Sequence, residues 1–174
     1  MRKRLISFDD NDDCTEGRDW LELEHAALVE VTSEADGYPI EGALLPHLGR
    51  GWRAGTTGTQ VIRLLFDEPQ TIRAIRLAFK EERDARTQEF LLRWLPHGTT
   101  SWKDLIRQQW NFSPPQTIEE REEYKVDLAS VAGLELSISP DIGGGGIRAS
   151  LEKMQVSVAK SRNGPVGVPT DEIA

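Results

Sequence analysis

Thr71-Ile72-Arg73-Ala74-Ile75-Arg76-Leu77-Ala78-Phe79 is the stretch on which the fold turns. Its alternation is loose at the start, but Ile75, Leu77 and Phe79 lie two apart and share one face of an extended chain, while Arg76 points away. Such a strand belongs to a sheet that is buried on one side and wet on the other. The end of the chain repeats the pattern. There Ser150, Glu152, Met154, Val156 and Val158 fall on one face, and Leu151, Lys153, Gln155 and Ser157 on the other.

Working outward, short runs rich in β-branched and aromatic residues recur between turn-forming clusters. They predict strands over 27–32, 61–66, 72–79, 89–94, 124–127, 134–139 and 150–158. Asp67-Glu68-Pro69 is expected to end one strand and Pro96-His97-Gly98 another, while Ser113-Pro114-Pro115 removes two backbone donors in a row. Helical signal is confined to two short turns, 39–45 and 128–131, the second following Asp127 as a cap. Seven or eight antiparallel strands with long loops at one end make an all-β protein, an antiparallel β-sandwich, with the jelly roll as the expected form.

The chain has 174 residues, 38% hydrophobic, with five Trp and five Phe to fill a core, which suits one domain. Residues 1–19 read as an acidic N-terminal arm, 20–158 as the domain and 159–174 as a flexible C-terminal tail. A net charge of −8 disfavours nucleic acid and anionic membrane surfaces as partners. No apolar run reaches the length of a membrane span, and Met1-Arg2-Lys3-Arg4 leads into acids, not an export signal. The single Cys14 forms no internal disulfide, and its acidic neighbours suppress the thiolate. A cytoplasmic location is the expectation.

No set of residues reads as catalytic. His25, His47 and His97 fall in separate segments without metal-ligand spacing, so neither metal nor cofactor is expected. Gly143-Gly144-Gly145-Gly146 lacks the Gly-Lys-Ser/Thr and the helix that a phosphate cradle needs, and reads as a mobile loop joining the last two strands. Glu119-Glu120-Arg121-Glu122-Glu123 reads as a hydrated loop, which gives its acids no contrast of environment for acid–base work. No Gly-x-Ser-x-Gly elbow occurs.

The order of several short pieces resembles the galactose-binding-like, or discoidin (coagulation factor type C), jelly rolls. The pieces are Val31-Thr32-Ser33-Glu34, Ala43-Leu44, Gly51-Trp52-Arg53-Ala54 ahead of Gln60-Val61-Ile62-Arg63-Leu64, Glu68-Pro69-Gln70-Thr71-Ile72, Glu89-Phe90-Leu91-Leu92-Arg93-Trp94, Ser101-Trp102-Lys103-Asp104-Leu105 and Ala149-Ser150-Leu151-Glu152-Lys153-Met154-Gln155-Val156. The resemblance implies a binding module without chemistry, its end loops holding a sugar, a lipid head group or a protein. It also implies a structural calcium held by an Asp-Gly loop and a Glu of the last strand. Here Leu45-Pro46 and Lys153 stand at those positions, so the calcium site is expected to be lost, with Glu152 as ligand only if the register slips by one.

Sugar sites combine an exposed ring with hydrogen-bond donors. By loop location the candidates are Tyr38 for the ring and His47, Arg50, Arg53, Arg83, Arg86 and Arg148 for the donors. Trp52 and Trp102 match positions used for packing in the family. The leading expectation is a non-catalytic module for a carbohydrate or similar polyhydroxylated ligand. The alternative is an intracellular protein-interaction domain similar to the N-terminal domain of the eukaryotic single-strand-break repair scaffold, on the strength of Trp52-Arg53-Ala54. In either case the partner is a carbohydrate or a protein.

Overall fold

The structure, a computed structural model, describes residues 19–45 and 47–159. The expected arm and tail, Cys14 included, lie almost wholly outside the described residues. In chain order the elements are β1 (Asp19–Trp20), α1 (Leu23–Ala26), β2 (Ala27–Val31), α2 (Glu41–Leu44), β3 (Trp52–Arg53), β4 (Gln60–Lys80), β5 (Arg86–Pro96), β6 (Lys103–Phe112), β7 (Glu119–Ser139), β8 (Ser150–Leu151) and β9 (Lys153–Val158).

The all-β, antiparallel jelly-roll sandwich expected from the sequence is what forms. Its two long strands, β4 and β7, pair with each other along their 21-residue lengths and cross from one layer to the other. In the first layer the early half of β4 (Gln60↔Ile138 to Leu65↔Gly133) lies between β2 and the late half of β7, which continues to β5 and β6. In the second layer the late half of β4 pairs with β9 and with the early half of β7, and β1 edges β9.

Between Leu65 and Ala74 the register shifts three times, which bends the ribbon from one layer into the other. The chain therefore does not stop at Asp67-Glu68-Pro69, where the sequence predicted the end of a strand. Opposite that bend the predicted helical turn at 128–131 is strand: Leu128 pairs with Ile72, Val131 pairs with Gln70 and Pro96, and Ser130 takes a positive φ of 51°. Two flanking strands capture this segment, and their ladders outweigh the local capping signal of Asp127. The other predicted helical turn is present as α2.

The inward faces pack as the alternation requires. Ile75, Leu77 and Phe79 are buried, as are Ile62, Leu64, Phe90, Leu92, Leu134, Leu136 and Ile138 across the gap, and Phe79 stacks on Phe90 with ring centroids 5.4 Å apart. Arg76 points outward, its guanidinium 4.5 Å above the Trp20 ring. Met154 and Val156 are buried on β9; Leu151, from the other face of the predicted strand, is buried too, because Glu152 separates β8 from β9.

Two further readings need correction. Glu119–Glu123 is no hydrated loop but the start of β7, with Glu120 turned inward and 1% exposed. β6 was not anticipated as a strand at all. On the outer surface of the first layer, a row of cross-strand partners runs Glu30, Arg63, Glu135, Arg93. Glu135 is only 3% exposed: Arg63 Nη2 donates to one carboxylate oxygen at 2.7 Å and Arg93 Nε to the other at 2.9 Å. Burial pushes this carboxyl upward, but the hydrogen bonds and charges of the two arginines outweigh it and hold the group below the usual range. Trp102 lies beside this row, over Gly133 and under the Arg63 guanidinium, so it packs on the outer face and not in the core.

Candidate ligand-binding cleft

The described chain ends meet near the bend, where Asp19 pairs with Val158 and Val158 with Ile72. At the opposite end of the sandwich, four connecting segments and the β3–β8 ribbon surround an open cleft of ≈ 880 Å³. Each wall is fixed by local chemistry.

Trp52 sets the first wall. Its indole is buried at 1% exposure and donates to the Ser33 carbonyl at 3.0 Å. The next side chain on a strand must point the other way, so Arg53 faces out, and its guanidinium lies 4.7 Å from the Tyr38 ring centroid. Backbone bonds close the Tyr38 turn onto β3, with Ala35 N–H donating to Arg53 O at 2.9 Å and Arg53 N–H to Tyr38 O at 3.3 Å. Gly42 lets the Arg50 loop approach, since a Cβ there would sit 2.5 Å from the Gly51 carbonyl oxygen.

The second wall is the turn at 81–85. The Glu81 carboxylate accepts from the backbone N–H of Arg83 at 2.9 Å and of Asp84 at 3.0 Å, and from Arg86 Nε at 3.0 Å. Burial raises its pKa, but these backbone bonds and the Arg86 charge prevail and lower it from the usual value. The third wall is the loop at 140–149. It is tied down by Arg86 Nη1 donating to Pro140 O at 2.8 Å, by Ile142 N–H donating to Thr87 O at 2.9 Å, and by Asp141 Oδ1 accepting from Gly143 N–H at 3.0 Å. Gly145 and Gly146 form part of the rim.

Of the seven candidates, Tyr38, Arg50, Arg53, Arg83 and Arg148 line this cleft. His47 is exposed but does not line it. Arg86 is the clear departure. Its side chain has no exposed surface, because it opens β5 on the same inward face as Gln88 and Phe90, over the Phe112 ring. It joins two walls of the cleft and offers nothing to a ligand. The sequence reading missed Asp36, Lys80, Asp84 and Glu152, which also line the cleft. The turn-forming pair Asp36-Gly37 beside Tyr38 is a signal that could have found Asp36; for the others, only knowledge of where β4 and β8 end would have placed them.

A polar interior sits apart from the cleft, between β5, β6 and β7. Gln108 Nε2 donates to Glu122 at 2.9 Å and to Glu120 at 3.3 Å, and Tyr124 Oη donates to Gln108 Oε1. Burial, and then the Glu122 charge, raise Glu120 to about 7. Burial, with Glu122 and Glu120, likewise pushes Tyr124 upward.

A smaller hollow of ≈ 230 Å³ is lined by Leu45 and Lys153, two of the positions that the resemblance assigns to calcium; the third, Pro46, lies outside the described residues. It brings Leu45, Arg121 and Lys153 together with one carboxylate, Glu152. One acid beside two cations does not suit an ion that takes six to eight oxygen ligands. Among the described residues, no group of three or more His, Cys, Asp or Glu is placed to hold a metal ion.

Comparison with protein families and with curated proteins finds no match to the sequence. Solved structures do match in shape. The family 32 carbohydrate-binding module of NanJ from Clostridium perfringens, in complex with galactose, superposes with a TM-score of 0.61 at 11% identity, over 80% of this chain and 98% of that one. An F5/8 type C domain from Bacteroides fragilis gives 0.59 at 11% identity, over 84% and 99%. The same type of module from AlyQ, in complex with 4,5-unsaturated mannuronic acid, gives 0.54 at 15% identity, over 75% and 94%. The fold is the galactose-binding-like, discoidin-type jelly roll that the sequence resembles.

Proposed function

We propose that this chain is a non-catalytic carbohydrate-binding module that takes its saccharide in the cleft at the loop end of the sandwich. The observation that carries this reading is the composition of the cleft. A volume of ≈ 880 Å³ is bordered by one half-buried tyrosine ring and by four exposed arginines from three stretches of the chain. A ring gives the apolar face of a sugar a surface to pack on, and guanidinium groups donate to its hydroxyl oxygens in fixed directions. Volume and polarity suit a ligand of one to three sugar residues better than a flat protein epitope.

The fold supports the same reading, since its solved neighbours include modules in complex with galactose and with 4,5-unsaturated mannuronic acid, and a pectin-binding module. Among the described residues catalysis finds no support in the geometry: Glu120, the carboxyl that burial pushes up to about 7, is sealed in the interior at 1% exposure and does not line the cleft. The test is a glycan array followed by calorimetric titration of the best binder. Binding to a defined saccharide, reduced by Tyr38→Ala, is the expected result; an array with no binder above background contradicts the proposal.

A further inference from the structure

The charges around the cleft are unevenly satisfied. Glu82 is paired with Lys80 at 3.2 Å, and Glu81 with the buried Arg86. Arg50, Arg83 and Arg148 are exposed and hold no ion pair among the described residues, although the protein as a whole carries −8. Arg53 is also unpaired and braced against Tyr38. Four guanidinium groups thus face three unpaired acids, Asp36, Asp84 and Glu152, leaving an excess of one positive charge where the rest of the molecule is acidic.

A neutral sugar would need some of these donors, but not four. A guanidinium donates two parallel hydrogen bonds to a pair of oxygens on a carboxylate or on a sulfate ester, and the clefted surface concentrates the field that attracts such an anion. Because the four arginines come from three stretches of the chain, at 50–53, 83 and 148, the cations are spread around the opening and can engage successive residues of one sugar chain. We propose that the ligand is an acidic saccharide, carrying a carboxylate or a sulfate ester on successive rings. This inference rests on the carbohydrate-binding reading above and assigns the ligand class within it.

The experiment titrates the described protein, as the full chain, with trigalacturonate, with its methyl ester, with a sulfated galactose trisaccharide and with neutral galactotriose. At least one of the two anionic probes is expected to bind about tenfold or more tightly than the neutral one, and to weaken several-fold as salt rises from about 50 to about 300 mM. If trigalacturonate is the tight binder, its methyl ester loses the preference, which assigns the carboxylate; if the sulfated sugar is tighter, the ester oxygens are the determinant. Arg50→Gln, Arg83→Gln and Arg148→Gln, all at exposed positions, should each reduce anionic binding and leave the melting temperature unchanged. Equal binding of neutral and anionic probes overturns the inference and leaves the module reading standing. Failure of every probe and of a broad glycan array overturns both.

Discussion

Glu120 is a carboxyl group with 1% of its surface exposed, and its Oε2 has no hydrogen-bond partner. Its pKa is raised to about 7 from an ordinary 4.5, first by burial and then by Glu122. The folded protein therefore keeps a proton that the unfolded chain releases above pH 4.5. Linkage gives the sign: stability contributed by this proton is full below the unfolded value and is lost as pH rises through about 7. The size of that loss is at most about 3 kcal/mol. Glu120→Gln keeps the shape and removes the charge. Urea unfolding from pH 5 to pH 8 should then show the wild type losing stability over that range, while the variant stays flat by comparison. At pH 8 the variant should be the more stable of the two. Equal pH slopes for wild type and variant would refute the argument, since the carboxyl would then be ionised without cost.

Other outcomes follow from the same structure. Glu135→Gln removes the charge that two arginines share and should cost about 2 kcal/mol in urea unfolding; Glu135 being held below the usual range, its stabilising effect in the wild type fades only as pH falls below about 4.5. Gly133→Ala should cost about 1–3 kcal/mol, because the new Cβ meets the Leu64 carbonyl oxygen at 2.8 Å and Trp102 at 3.1 Å, and a backbone atom cannot yield. A saturating excess of calcium should leave the melting temperature unmoved, and a clear rise would show that Glu152 and its neighbours do hold the ion. Arg86→Gln should loosen the walls it joins, lowering both stability and saccharide affinity, whereas Arg148→Gln should lower affinity alone.

The second-layer strands were legible because their faces obey a simple rule. Ile75, Leu77 and Phe79 recur at a period of two beside Arg76, and Met154 and Val156 do the same near the chain end. β6 escaped because its inward positions include Gln108 and Trp110, while Lys103, Asp104 and Arg107 make the segment look wet. Glu120 misled for the same reason: nothing local reveals that its partner, Gln108, lies on another strand. The bend at 128–131 depends on register against β4 and β5, which local signals do not encode. Five of the seven candidates line the cleft because loops at one end of a jelly roll converge whatever their sequence. Arg86 failed because one residue separates an exposed turn from an inward strand position, and sequence boundaries are not that sharp.

The central claim is that this protein recognises a saccharide through the cleft at the loop end of its sandwich. The most direct measurement is NMR mapping of backbone amides during titration with the tightest-binding saccharide. Shifts concentrated around Tyr38, Arg50, Arg53, Arg83 and Arg148, on four segments brought together by the fold, are the expected result. Shifts centred on the Arg63–Glu135–Arg93 surface or along β6, with the cleft silent, would contradict it.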